Sequence, residues 1–365
     1  MLNPEPFSLE ALRLDCKKEA EGIVSRLRHL VSRVFHRRGV VVALSGGIDS
    51  SVVAALSVHA LGKERVFGLL MPERDSSPET LRLSQLMADS LGIERHHEDI
   101  TPVLEAVGCY RWRHDAIRRV IPEFTDDSKC KIVLPSVLAD DRLRVFSVVV
   151  ELPDGRQIRK RLSAQAYLEI VAASNFKQRI RKMFEYFHAD RLNYAVTGTP
   201  NRQEYDQGFF VKLGDGAADV KPIAHLYKTQ VYQMAEYLGV PEEIRKRPPT
   251  TDTYSLPQSQ EEFYFSVPYE KMDCCLYGLN HGVAPAEVGA LIGLTSEQVE
   301  RVYDDIQNKR NTTRYLHMSP VLLGDVPEIR REGWRHIRKG NEAIHGCSTC
   351  ELPERSNTNE RKGLK

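Results

Sequence analysis

Val40-Val41-Val42-Ala43-Leu44-Ser45-Gly46-Gly47-Ile48-Asp49-Ser50-Ser51 is the stretch that decides how this chain folds. The β-branched run predicts a buried strand that stops at a Ser-Gly-Gly turn, with a helix from Ser50 to Leu61 following. Such a passage aims backbone N–H groups at an anion from a helix N-terminus. Paired glycines have no Cβ, so the main chain can approach that anion closely. Asp49 stands where a carboxylate could hold the divalent ion that accompanies a polyphosphate. A Walker A loop is excluded, because no Gly-Lys-Ser/Thr follows the glycines. The turn reads as a phosphate site.

Working outward, Leu9 to Arg37 carries apolar residues at Leu12, Ile23, Leu27, Leu30, Val31 and Val34, the spacing of a helix. Val66 to Met71 predicts a second buried strand. Ser77-Pro78-Glu79 opens a helix to Leu91, and Ile93 to Ile100 predicts a third strand. Strands alternating with helices imply an α/β fold, a Rossmann-like parallel sheet covered on both faces. Its ligands belong beyond the carboxyl ends of the strands. Between about Cys109 and Ala172 the pattern changes to a β-rich insertion. Lys131–Leu134, Arg144–Leu152 and Gln157–Leu162 are its expected strands, and Pro153-Asp154-Gly155 is a hairpin turn. Ser163 to His188 predicts a long helix, with a break foreseen near Ser174-Asn175. Leu192 to Thr197 predicts another buried strand, and Tyr227 to Leu238 a helix closed by Gly239-Val240-Pro241. The expected organisation is one domain over 1–330, with a helical C-terminal part, and a partly disordered tail over 331–365.

With 51 Lys+Arg against 50 Asp+Glu, the net charge of +1 gives no electrostatic footprint for nucleic acid or membrane. No apolar stretch approaches the roughly 20 residues of a bilayer span. The start, Met1-Leu2-Asn3-Pro4, lacks the order of a signal peptide, and seven scattered cysteines suit reduced thiols, so a cytoplasmic location is expected. Ala284 to Val299 has the outline of a helix-turn-helix, but neutral charge favours packing helices over a DNA reader. His336, His345, Cys347 and Cys350 include a Cys-x-x-Cys; a loose pair of thiols is preferred there to a zinc site.

The second half supplies further chemistry. Thr199 and Glu204 lie just beyond a predicted strand, and Glu204 with Asp49 would give magnesium two carboxylates. Alone, Glu204 reads as a solvated loop acid. Lys212 to Asp219 packs two glycines and two aspartates into a tight loop. Lys228 opens a helix, and Arg247-Pro248-Pro249-Thr250-Thr251-Asp252 offers paired hydroxyls; both are suitable phosphate donors.

Two resemblances rest on these residues. Ser45-Gly46-Gly47-Ile48-Asp49-Ser50 resembles the PP-loop of ATP pyrophosphatases, which cleave ATP between its α and β phosphates. Gly198–Glu204, Lys212–Asp219, Leu226-Tyr227-Lys228-Thr229-Gln230, Pro249–Asp252, Met71–Glu79, Asn175–Arg179 and Lys309-Arg310 are together similar to segments of ammonia-dependent NAD synthetases, in order and spacing. The likeness covers roughly residues 20 to 320 apart from the insertion.

What it implies is adenylation of a carboxylate, that of nicotinic acid adenine dinucleotide, followed by amidation with ammonia to give NAD, AMP and pyrophosphate. ATP would lie over Leu44, Ser45, Gly46, Gly47, Ile48, Asp49, Ser50 and Ser51, with Mg2+ on Asp49 and Glu204. Lys228 and Thr250 would meet the phosphates, Arg74 and Thr199 the nucleotide. Asn175, Arg179, Lys212, Asp215 and Asp219 would face the acceptor or the ammonia, with Asp215 nearest the nitrogen; Asp49, Asp215 and Lys228 are the implied catalytic groups. A homodimer is implied. Too few residues precede the first strand for a glutaminase, so ammonia is expected to be free or to come from a separate subunit. Pro200 stands where the family has glycine, and the insertion precedes the acceptor helix without a recognised counterpart. A relative amidating a different carboxylate is the alternative reading.

Overall fold

The computed structural model describes residues 7–138, 145–251, 253–324 and 326. A 3-10 turn at Leu9–Leu12 precedes helix α1 (Cys16–His29), which ends in a π turn at Leu30–Val34. The single helix expected over Leu9–Arg37 is thus divided, because the Asp15 carboxylate accepts the Lys18 N–H and restarts the helix as its N-cap. Strand β1 (Val40–Ala43) leads through the glycine turn into α2 (Ile48–Leu61), followed by β2 (Val66–Leu70), α3 (Pro78–Leu91) and β3 (Glu94–His97). Helices α4 (Thr101–Ala106) and α5 (Cys109–Arg118) come next. The stretch marked as β-rich therefore begins with a helix, whose buried Tyr110, Arg113 and Ile117 recur at helical spacing.

Strands β4 (Lys129–Val133), β5 (Ser147–Glu151) and β6 (Gln157–Arg161) form an antiparallel sheet packed on α5 and on α6 (Ala164–Leu192). Gly155, at φ +82, makes the β5–β6 turn that Pro153-Asp154-Gly155 predicted. No break occurs at Ser174-Asn175, since Ser174 Oγ donates to the Ile170 carbonyl at 2.8 Å and its hydroxyl is satisfied within the helix. Helix α6 instead runs on to Leu192, where Asn193 at φ +55 caps it. That extension shortens the strand expected from Leu192 to β7 (Ala195–Val196). Then follow α7 (Arg202–Gln207), α8 (Lys228–Tyr237), α9 (Glu242–Lys246), α10 (Tyr269–His281), α11 (Pro285–Ile292) and α12 (Ser296–Thr313).

The main sheet has the order β3-β2-β1-β7, all parallel, with Val40 opposite both Val66 and Ala195. The chain winds outward from β1 through β2 to β3 and then returns to the other side of β1. Strand order therefore reverses between β1 and β7, and a crevice opens beyond their carboxyl ends. Strand β3 is shorter than predicted because it is an edge of four exposed polar residues, while Ile93 and Ile100 on either side are buried.

Helix α2 is apolar nearly all round and is buried in the core of α1, α3 and α8. The helices that resembled a DNA reader, α11 and α12, bury Val288, Val299, Val302 and Ile306 against Met272 and Leu276 of α10. Among the described residues no helix is long and apolar enough to cross a membrane, and Cys16, Cys109, Cys130, Cys274 and Cys275 are free thiols. One unit of the chain ends at Ser319; the other, Pro320–Lys365, is described only at 320–324 and 326, where its side chains are exposed. Asp252 and the His336, His345, Cys347 and Cys350 group lie outside the described residues.

Candidate active site

The glycine turn is held by constraints that a side chain would break. Gly46 has φ +67, and a Cβ there would stand 2.7 Å from the Thr80 carbonyl oxygen. Gly47, with ordinary φ, is the N-cap of α2. The helix begins at Ile48, two residues before the sequence reading placed it, so Asp49 sits in its first turn. Ser50 Oγ and Ser51 Oγ donate to the Gly47 carbonyl at 3.0 and 2.9 Å, and Ser50 Oγ also accepts the Ser45 N–H at 3.3 Å. The serines thereby hold the turn's shape beneath the helix N-terminus.

From the other side of the crevice, the chain leaving β7 brings Thr199 and then the N-cap of α7, Asn201. Its amide Nδ2 donates both to Asp49 Oδ1 and to Glu204 Oε2, each at 3.0 Å. Glu204 reaches back to the Asn201 N–H at 3.1 Å, completing a capping box, and accepts from Gln260 on its other oxygen at 3.0 Å. It is a half-buried, fully hydrogen-bonded group and not the solvated loop acid that residue type alone suggested. Lys228, 2 % exposed, makes a short ion pair with Asp49. Burial pushes the Glu204 carboxyl up to about 8, with the Asp49 charge adding to the effect. For Lys228, burial works against the charge, but the Asp49 and Glu204 carboxylates outweigh it and leave its pKa raised. No cluster of three or more metal-ligating side chains exists among the described residues. Two carboxyl groups joined through one amide nonetheless fit a magnesium ion that takes phosphate and water as its other ligands.

Two cavities open over the sheet and share Ser45 and Thr199. The first is walled by Leu44, Leu70, Met71, Pro72 and Leu81, with Arg181, Lys182, Glu185 and Asp215 at its polar side. The second is lined by Gly47, Ile48, Asp49, Ser50, Glu204, Lys228, Arg247, Thr250 and Gln260. Asp215 accepts the Val211 N–H at 2.8 Å, and burial raises its pKa above the usual carboxylate range.

The remaining expected residues lie elsewhere. Arg74 is exposed, its guanidinium 3.7 Å from the centroid of the Tyr110 ring. Asn175, Arg179 and Lys212 line neither cavity; Arg179 contacts the Lys212 carbonyl at 3.4 Å, and Lys212 donates to the Tyr315 carbonyl at 2.8 Å. Asp219 accepts the Val196 N–H at 2.7 Å and the Tyr186 hydroxyl at 3.4 Å, tying α6 to β7 apart from both cavities.

Several contributors were missed. Arg247 donates to Thr80 Oγ1 at 2.8 Å and reaches the Gly46 carbonyl at 3.5 Å, bracing the glycine turn. The Asn201…Glu204 spacing was a legible capping signature that went unused. Gln260 and the buried Lys182–Glu185 pair, 2.6 Å apart, carried no sequence signal at all.

The NAD synthase family model matches residues 19–119 and 139–314 of this chain. The unmatched residues 120–138 are a narrower part of the Cys109–Ala172 stretch than the sequence reading set aside. An NH(3)-dependent NAD(+) synthetase of Mesorhizobium japonicum is 60% identical over 317 residues, 87% of this chain and 99% of the relative. One from Thermotoga neapolitana is 39% identical over 71% of this chain and 83% of its own length. Among solved structures, NMN synthetase from Francisella tularensis superposes with a TM-score of 0.58 at 23% identity, covering 86% of this chain and all of that one. NH3-dependent NAD synthetase from Campylobacter jejuni gives 0.55 at 23% identity, over 85% of this chain and all of its own. At that identity the superpositions speak for the fold. The turns after β1 and β7, which build the crevice, both fall inside the matched sequence, and the chain belongs to the NAD synthase family.

Proposed function

We infer that this chain makes NAD by amidating the carboxylate of nicotinic acid adenine dinucleotide with ammonia and ATP, and that its two joined cavities divide the ATP between them. A carboxylate is a poor acyl donor near neutral pH, so it must first become an anhydride with phosphate. The nucleoside takes the apolar-walled cavity. The β and γ phosphates lie over Ser45–Ser51 with Lys228, Arg247 and Thr250 around them, and the α-phosphate falls at the junction marked by Ser45 and Thr199. There the acceptor carboxylate attacks, pyrophosphate leaves, and ammonia displaces AMP from the acyl-adenylate. Positioning and charge stabilisation are the protein's share of this chemistry. Asp49 and Glu204 would hold Mg2+, which supplies charge neutralisation for the leaving pyrophosphate. Asp215, at the polar side of the first cavity, is the group we assign nearest the ammonia.

The observation that carries this reading is the single Asn201 amide bridging the carboxylates from the two sides of the crevice. For the acceptor we assign the surface carrying Asn175, Arg179 and Lys212, completed by a second copy of the chain. Leu168, Met183 and Phe187, on the same helix as Asn175 and Arg179, are 63, 65 and 60 % exposed, an apolar strip suited to burial between copies. The test is pyrophosphate release with nicotinic acid adenine dinucleotide, ATP and ammonium, wild type against Asp49→Asn. Release should vanish in the variant; full activity there would remove the magnesium assignment.

A further inference from the structure

Lys177 lines neither cavity, yet it is wholly buried, at 0 % exposure. Its ammonium donates to Glu73 Oε1 at 2.8 Å, Asp75 Oδ2 at 2.7 Å and the Thr253 carbonyl at 2.8 Å, one acceptor for each N–H. Arg113 Nη1 also donates to Asp75 Oδ2 at 2.7 Å, and the Tyr110 hydroxyl to Glu73 Oε2 at 2.8 Å. Two cations thus meet two carboxylates in a buried cluster. Glu73 and Asp75 are flanked by Pro72 and Ser76, which wall the first cavity. Thr253 lines the same cavity and comes shortly after Pro248, Pro249 and Thr250, which wall the second. One buried ammonium therefore ties together two loops, far apart in sequence, that face the crevice from different elements. Thr250 pairs with Ser259 and Arg247 holds Thr80, but neither bond reaches residues 72–76, and in a packed interior the Lys177 tie is the direct link between Glu73, Asp75 and Thr253.

We propose that Lys177 is a positioning residue for ATP: it holds the loop 72–76 and Thr253, which follows the phosphate-facing Pro248, Pro249 and Thr250, at the separation at which nucleoside and phosphates are gripped together. The proposal rests on the reading that these cavities take ATP. It touches neither the acceptor nor the reacting atoms, so its removal should weaken ATP binding and spare the chemical step.

Steady-state kinetics of the full chain with Lys177→Met provide the test. The KM for ATP should rise about tenfold or more, with kcat at saturating ATP within about threefold and the KM for the dinucleotide unchanged. A merely structural lysine would lower the active fraction, and hence kcat, and leave the KM for ATP where it was; that result overturns the proposal. Should Lys177→Met fail to fold, Lys177→Gln keeps a polar group there, but its shorter side chain has only two N–H donors for the three acceptors on Glu73, Asp75 and Thr253, so it should show a rise of the same kind. An unchanged KM for ATP in Lys177→Gln overturns the proposal equally. A wild-type enzyme without saturable ATP dependence would overturn the site reading itself, and this proposal with it.

Discussion

Replacing Asn201 by alanine takes away two interactions that can be separated by a second variant. As N-cap, the Asn201 carbonyl oxygen Oδ1 accepts the Glu204 N–H at 3.2 Å, and loss of such a cap costs about 1 kcal/mol. As donor, its amide holds the Asp49 and Glu204 carboxylates toward each other at 3.0 Å apiece. Hydrogen bonds to charged groups contribute about 1.5–3 kcal/mol each. Without the bridge the two carboxyl groups are free to swing apart, and the ligand pair must be regathered by the metal. If about 1.4 kcal/mol of that loss reaches the metal, its apparent affinity falls about tenfold. Serine at 201 caps a helix as well as asparagine but has no amide to bridge with. Pyrophosphate release should therefore be titrated with Mg2+ at saturating ATP and acceptor, alongside thermal melting. Asn201→Ala should melt about 2 °C below Asn201→Ser, the difference being the lost cap, while both need about tenfold more Mg2+. A serine variant with wild-type Mg2+ half-saturation would refute the bridging role.

The two glycines of the turn should respond differently. Gly46→Ala must place a Cβ at φ +67 and 2.7 Å from the Thr80 carbonyl, so melting should reveal a loss of at least about 1–2 kcal/mol. Gly47→Ala meets only Ser45 Oγ, at 3.3 Å; it should fold nearly as well but raise the KM for ATP, because the new methyl lies on the face the phosphates approach. Asp273 accepts the Lys228 and Thr229 N–H groups and the Gln203 amide, and burial pushes its carboxyl from 3.8 up to about 6. The folded state thus keeps this proton longer than the unfolded chain, so the contribution to stability is complete below about pH 4 and lost as pH rises through 6. The difference is on the order of 3 kcal/mol. Urea melts of wild type and Asp273→Asn across that range should diverge by up to this amount, and parallel profiles would contradict the assignment.

Local signals were legible where chemistry is written in adjacent residues. Ser77-Pro78 opens α3, Gly155 makes the hairpin and Gly239 follows α8, each through a backbone preference that needs no distant partner. Boundaries failed where a neighbouring element competed. The end of α6 took Leu192 from the strand expected there, and the Asp15 cap divided the first helix, since both outcomes turn on one or two hydrogen bonds of similar strength. Arg74 stacks on Tyr110, a contact that depends on where α5 packs and that no pattern around Arg74 encodes.

By itself, the sequence determined that a strand would end in a glycine turn at a helix N-terminus, and that residues after a second strand would face it. Periodicity and the steric freedom of glycine are properties of neighbouring residues, so a linear reading captures them. Which groups meet across the crevice was decided only by tertiary structure. Asp49 joins Asn201 and Glu204 because β1 and β7 lie side by side in the sheet, and Lys177 joins Glu73 to Thr253 because α6 passes between their loops. Burial, with the Asp49 charge beside it, then set the electrostatics, pushing the Glu204 carboxyl well above the value it has in water.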